Sequence, residues 1–535
     1  MALVLWFGCG GGGGASPGTP PADSPEALVS AESPFSGDCG GDSTGTLYAQ
    51  AEVEPYLAIN PTDPGNLIAV WQQDRWSDGG ARGLVSGASF DGGRTWSRTP
   101  LPVSRCAGGS PANGADYPRA SDPWVSFAPD GTAFAISLSF AGGSFTPGSA
   151  SAVLVVRSTD GGRTWSAPAT LIADGADAFN DKQTITADPT DSRRVYAVWD
   201  RVVSDGSGPT FFARTLDGGE NWEPARLIYD PGPSSQTLGN LVVVLPDGTL
   251  VNVFTQIDTA PDQTQSARFA VMRSTDHGAT WGDPVVASGM AALGAVDPDT
   301  QAGIRNSAGL ASAAVAPDGT LILVWQDARA GGGLHDGIAF ATSADGGVTW
   351  SDGLGINANP SVAAFTPSVA VRADGTVGVT YFDFRDNTSD PRSLPTDLWL
   401  IVSGDGGATW SEQPVAGPFD LDLAPNARGL FLGDYQGLAS DEDRFVPLYA
   451  RTNPRASNRT DIYAWDESLA PGARRVSVRQ ASSSRLVPLP AETRRRIGES
   501  IDRQRRGRLR GEAGRRGDRR GGPPGRFGSR HVRMA

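Results

Sequence analysis

Ser89-Phe-Asp91-Gly-Gly-Arg-Thr95-Trp96 is the stretch on which the reading of this chain turns, because the chain repeats it. The pattern returns as Ser158-Thr-Asp160-Gly-Gly-Arg-Thr164-Trp165, Thr215-Leu-Asp217-Gly-Gly-Glu-Asn221-Trp222 and Ser274-Thr-Asp276-His-Gly-Ala-Thr280-Trp281. Ser343-Ala-Asp345-Gly-Gly-Val-Thr349-Trp350 and Ser403-Gly-Asp405-Gly-Gly-Ala-Thr409-Trp410 complete six copies, 57 to 69 residues apart. Each copy has the chemistry of a tight turn. An Asp accepts from backbone N–H groups, Gly supplies positive φ, Thr closes the turn and Trp buries its ring between strands. Asp91, Asp160, Asp217, Asp276, Asp345 and Asp405 are therefore read as folding residues.

Working outward, a hairpin precedes each turn. Val315-Ala-Pro-Asp318-Gly-Thr320 followed by Leu321–Trp325 has Asp-Gly as its bend, and the pattern recurs at Phe127–Ser139, Val243–Gln256 and Val369–Asp383. Asn60-Pro-Thr-Asp63 and Asp188-Pro-Thr-Asp191 replace it in the first and third units with a turn one residue longer. A repeat of this length suits one four-stranded β-propeller blade with its loops. Phe431 to Trp465 reads as a seventh unit without the turn motif, its fourth strand donated from near Thr46–Val53 to remove the sheet edges. The expectation is an all-β propeller over 44–470, of seven four-stranded blades with six as the alternative. Residues 1–43 form an N-terminal signal and linker, and 471–535 a tail. Gly (69) and Pro (40) make up about a fifth of the 535 residues, which favours short strands and turns over helices.

These repeats resemble the Asp-box proteins of the sialidase (neuraminidase) superfamily over roughly 44–470. The resemblance implies a propeller whose Asp boxes lie on the face away from the active site. It implies a glycoside hydrolase acting on terminal acidic sugars, with three Arg on the substrate carboxylate, a Tyr nucleophile with a Glu partner, and an Asp acid/base. A Tyr suits an anomeric centre whose own carboxylate repels an attacking carboxylate. The family's Phe/Tyr-Arg-Ile-Pro signature is absent, and Tyr117-Pro-Arg119 does not replace it. The catalytic set therefore does not transfer residue by residue. The alternative is a non-catalytic propeller that binds glycan or protein.

Topology supplies site candidates. The second strand of each unit ends on the face opposite the Asp boxes, and period-two alternation groups the side chains there. Asp327-Ala-Arg329, Asp383-Phe-Arg385, Arg451 and Asp74-Arg75 then fall on neighbouring units, with Gly433-Asp434-Tyr435 on the same face. The expectation is an anion-binding wall of Arg75, Arg329, Arg385, Arg451 and Arg119, with Asp434, Tyr435, Asp327 and Asp383 for catalysis. The bland reading makes each Asp-x-Arg a structural ion pair. Arg119, Asp122, Asp181, Lys182 and Arg305 sit on loops facing the funnel and are read as loop hydrogen-bonders.

Charge narrows the partners. Residues 472–535 hold 19 Arg and 5 acidic residues, which leaves 26 basic and 54 acidic residues in 1–471. So acidic a body excludes nucleic acid, and the ligand is expected to be a glycan or other anion bound by a monomer. Three scattered His argue against zinc, and no metal or cofactor is expected. Met1 to Gly8 followed by Cys9 looks like the end of a bacterial lipoprotein signal. Cys9 is then the lipidation site, Cys39 and Cys106 can form a disulfide, and the protein is secreted or lipid-anchored at the cell envelope, with membrane contact only through that lipid. The tail shows no hydrophobic periodicity beyond about Leu489 and is expected to be disordered.

Overall fold

The computed structural model describes residues 25–469 and 479–509, apart from Asp38, Asp42, Gln263, Ala456 and Ser483. Cys9 lies outside them. The regular elements of the described residues are nearly all β-strands, arranged as consecutive antiparallel meanders. Meander 1 is Leu47–Asn60, Asp63–Trp76, Ala81–Ser89 and Ser97–Pro100. Meander 2 is Arg119–Phe127, Ala133–Ala141, Ala150–Ser158 and Ala169–Asp174. Meander 3 follows with Ala178–Ala187, Val195–Val203, Thr210–Thr215 and Arg226–Tyr229. Meander 4 has Gln236–Val244, Leu250–Thr259, Gln265–Ser274 and Val285–Gly289. Meander 5 has Ala311–Val315, Leu321–Asp327, Gly337–Ser343 and Leu354–Gly355. Meander 6 has Ala364–Val371, Val377–Asp383, Pro395–Ser403 and Thr409–Asp420. Gly437–Ser440, Phe445–Arg455 and Asn458–Trp465 form meander 7.

Hydrogen bonds do not join these strands into one closed sheet. Meanders 7, 1 and 2 connect only through single register positions, Ala51 with Thr460 and Ala81 with Ala120. Packing does what hydrogen bonding does not. The first strand of each meander contacts the first strand of the next, and that of meander 7 returns to meander 1. Apolar clusters fill the spaces between meanders, with Trp71, Trp199, Trp325 and Trp410 fully buried.

The turn between third and fourth strands has the same geometry in all six copies. The Asp carboxylate accepts from the amide four residues on at 2.9 Å. In the five copies with Thr it accepts from that hydroxyl at 2.5–2.6 Å. Hydroxyl and amide of Thr349 and of Thr409 hold Asp345 and Asp405 down at about 2. The residue after Asp needs positive φ (Gly92, 76°), and His277 adopts it at 55° where Gly is missing.

Two expectations about the ends are corrected. The fourth strand of meander 7 is Glu26–Leu28, antiparallel to Tyr463–Trp465, and not Thr46–Val53. The latter segment is already the first strand of meander 1, so closure draws on chain further upstream, and part of the expected linker belongs to the fold. Cys39 is bonded to Cys106, which staples this segment down. The tail is also structured in part. Arg479–Ser482 adds a fifth strand to meander 6, Ser484–Arg485 one to meander 5, and Ala491–Leu509 is a helix. Its buried face is Thr493, Ile497, Ser500 and Ile501. That i, i+4, i+7, i+8 stripe holds only two aliphatic residues, which is why the periodicity escaped notice.

Trp410→Ala is expected to lower unfolding free energy by about 3–5 kcal/mol, as for other buried large-to-small changes. Urea titration checks it, and a loss under about 1 kcal/mol would show that the ring is not part of the packed core.

Candidate ligand-binding site

The first strand of a meander changes register part-way along. The shift falls between Val53 and Tyr56, Ser121 and Trp124, Asp181 and Thr184, Leu238 and Leu241, and Phe365 and Ser368. At each shift one residue has positive φ: Glu54 (54°), Asp122 (52°), Lys182 (50°), Gly239 (64°) and Thr366 (51°). Such bulges re-aim a side chain. On meanders 1, 2 and 3 the re-aimed side chains are Glu54, Asp122 and Lys182. Meander 7 brings Asp434 and Tyr435 to them just before its first strand. A short parallel pairing of Ile304–Arg305 with Leu430–Phe431 brings Arg305.

Asp434 is the hub. Its carboxylate accepts from Lys182 Nζ at 2.6 Å and from Arg305 Nε and Nη2 at 2.9 and 2.6 Å. Its amide donates to Glu54 Oε1 at 3.1 Å, and the Lys182 amide donates to Asp122 Oδ2 at 3.3 Å. Gln72 Nε2 donates to the other Glu54 oxygen, and Arg75 Nη1 donates to Gln72 Oε1 at 2.6 Å. The Arg305 and Arg75 guanidiniums both lie on the Phe431 ring, at 4.3 and 4.9 Å. Tyr435 Oη donates to the Pro123 carbonyl at 2.9 Å, its ring edge-on to Trp124.

Burial and neighbouring charge pull these groups apart. Burial, then the Asp122 and Asp434 charges, push Glu54 up to about 8. Burial acts upward on Asp122 and Asp434 too, but Lys182 and Arg305 outweigh it and hold both below the usual carboxylate range. Those carboxylates in turn keep Lys182 charged despite its burial, while burial pushes the Tyr435 phenol well up. At neutral pH the cluster therefore holds a protonated Glu54, two carboxylates and two cations. Its Asp122, Lys182, Arg305 and Asp434 line a cavity of about 520 Å³. Leu138, Phe140, Phe179, Leu238, Ile304 and Leu310 supply apolar wall, and Asp181 and Arg428 also line it.

Residues 194–432 match the family described as BNR repeat-like domain. No curated protein matches the chain. Among solved structures, it is similar to the α-L-arabinanase of Penicillium chrysogenum complexed with arabinobiose, at 14% identity and a TM-score of 0.41 over 78% of this chain and 93% of that one. A Hadza microbial sialidase has 19% identity and a TM-score of 0.40 over 79% and 66% of the two chains. The sialidase of Trypanosoma rangeli in complex with the inhibitor DANA has 12% identity and a TM-score of 0.40 over 78% and 55%. These are distant likenesses of shape, and none assigns a reaction here.

Most of the expected Arg wall does not assemble. Arg329 pairs with Asp327 (2.8 Å) and the Gly289 carbonyl. Arg385 is held by Asp383 (2.8 Å) and Glu412 (2.6 Å), over Trp399. Arg451 meets Glu26 at 2.9 Å, and Arg119 donates to the Gly79 and Gly142 carbonyls. Asp327 and Asp383 also accept from the indoles of Trp325 and Trp399, so neither faces the cavity. The reason is local. The second strands end at Asp327 and Asp383, and each Asp caps the turn that follows, accepting from both the backbone amide and the guanidinium of the Arg two residues on. Arg75 alone of the five reaches the cluster, through Gln72. Asp434 and Tyr435 are in it, as are Asp122, Lys182 and Arg305, which were read as loop hydrogen-bonders. Glu54 was missed, although Glu54-Pro55 and Asp122-Pro123 mark equivalent positions.

Several buried carboxyls have raised values, among them Glu54 at about 8 and Asp336 and Asp397 at about 7, burial leading in each case. Between the unfolded values near ~4 and these folded values, the native state holds protons that the unfolded chain has released. Stability is therefore expected to fall as pH rises from about 5 to about 9. Urea midpoints across that range test it, and Glu54→Gln should flatten the slope. A midpoint that rises would overturn the assignment.

Proposed function

We propose that the meanders are the blades of a closed seven-bladed propeller with its six Asp boxes on one face, and that the cavity on the other face binds a saccharide. The cyclic packing of the first strands supports the ring. The antiparallel order supports the two faces, since a first strand begins at the end opposite the turn between the third and fourth. The cavity carries the functional reading. At about 520 Å³ it has the size of a small-molecule site, with apolar wall for the C–H face of a sugar and few charged groups for its hydroxyls.

The balance of charge favours a neutral saccharide over an acidic one. Lys182 and Arg305 are offset by Asp122 and Asp434, and the surrounding body is acidic. Binding is also favoured over turnover. The Tyr435 hydroxyl is engaged with a carbonyl, and Glu54 is fully buried between Gln72 and the Asp434 amide. The sialidase-like hydrolase is the second reading. One observation favours it: Glu54 raised and Asp122 lowered is the split of two carboxyls that glycoside hydrolysis uses. The Cys39–Cys106 disulfide supports a place outside the cytoplasm, secreted or lipid-anchored.

Calorimetry with neutral oligosaccharides and with sialyllactose, beside a fluorogenic sialoside assay, tests the reading. The expected result is binding of a neutral saccharide that weakens at least about tenfold in Arg305→Ala, without turnover. Turnover abolished by Asp122→Asn would move the assignment to the hydrolase. Failure of every saccharide to bind would remove the glycan reading.

A further inference from the structure

The C-terminal segment takes a path that ends at the cavity. After Trp465 the chain reaches the outer edge of meander 6, where Arg479–Ser482 pairs with Thr409–Glu412. Ser484 and Arg485 then pair with Gly355 and Leu354 at the outer edge of meander 5. Leu486 and Leu489 pack onto the apolar cluster that spans meanders 4 and 5. The helix Ala491–Leu509 follows, and its Ser500 lines the cavity.

The helix docks by one narrow face. Ile497 and Ile501 join the same apolar cluster as Met290, Ala291 and Leu293. Thr493 Oγ1 donates to the Gly333 carbonyl at 2.8 Å. Arg494, Arg495 and Arg496 are exposed on the opposite side, Arg495 pairing with Glu492 and Glu499 of its own helix. Helix and cavity share one stretch of wall. Leu293 and Gly294 line the cavity, and their amides donate to the two Asp336 oxygens at 2.8 Å each. The wall is thus fixed to meander 5 through Asp336, while the helix covers it through two Ile and one Thr.

We propose that the segment 479–509 is a releasable cover that controls access to the central cavity. Strands of four and two residues on sheet edges, with a helix that among its described side chains buries two aliphatic ones, have the properties of a unit that opens locally while the rest stays folded. An Arg-rich outer face on this unit, against an acidic body, gives it a handle that the closed ring lacks. The proposal rests on the cavity being the ligand site, but not on which ligand enters it.

Access can be read without any ligand. Ala308 lines the cavity, so Ala308→Cys in a Cys9→Ser background places one free thiol there, Cys39 and Cys106 being bonded. Its alkylation rate by iodoacetamide is compared with that of the same full chain carrying Ile497→Glu and Ile501→Glu. Limited trypsin cleavage within Arg494–Arg496 of the parent gives a second route to release. A rise of at least about tenfold by either route, with the main thermal transition retained, is expected. Equal rates in the cleaved protein would overturn the proposal, as would equal rates in a variant whose helix amides exchange freely. Faster labelling together with no saccharide binding would leave the cover standing and remove the glycan reading.

Discussion

Asp434 accepts from a lysine 252 residues away and an arginine 129 residues away, while its amide donates to a carboxyl 380 residues away. Meanders that do not hydrogen-bond into one sheet are in this way tied together by one buried acid. Burying so many charges is costly unless each is paired and its remaining hydrogen bonds are made. The arrangement pairs Lys182 and Arg305 with Asp434 and leaves Glu54 protonated. Removing Asp434 would leave Lys182 and Arg305 without their shared partner in a low dielectric.

Backbone conformation fits the same picture. The bulged first strands, those of meanders 1, 2, 3, 4 and 6, have a positive φ that glycine adopts without strain, and meander 4 uses Gly239. Meanders 1, 2 and 3 instead place Glu54, Asp122 and Lys182 there. Non-glycine residues in this region carry a cost of about 1–3 kcal/mol. Three adjacent meanders bear it where an unstrained residue would serve the fold, and all three side chains go into the cluster. Meander 6 places Thr366 there as well, so the bulge is a feature of the fold, and in meanders 1, 2 and 3 that same conformation aims the side chain into the cluster.

The Asp-Gly turns and the Asp-x-Arg pairs belong to a different layer. They are local, bonded within a few residues, and each meander closes its own. This locality made them legible, and it also misled. Arg329 and Arg385 lie past the ends of their strands, in the turns that Asp327 and Asp383 cap. Period-two alternation holds only while the strand continues, and past it each Arg folds back onto the Asp, which also accepts from a neighbouring indole.

Residues close in sequence therefore settled the repeat, its turns, its strand periodicity and the all-β class, because these depend on contacts within one meander. Asp434 and Tyr435 could be placed on the right face by strand direction alone. What needed tertiary structure was which strand lines the centre, and so that Glu54, Asp122 and Lys182 converge on Asp434 from three meanders. The edge strand Glu26–Leu28 and the helix Ala491–Leu509 needed it for the same reason. Both are weak local signals, three residues in one case and two isoleucines in the other, stabilised by surfaces that exist only once the meanders have packed.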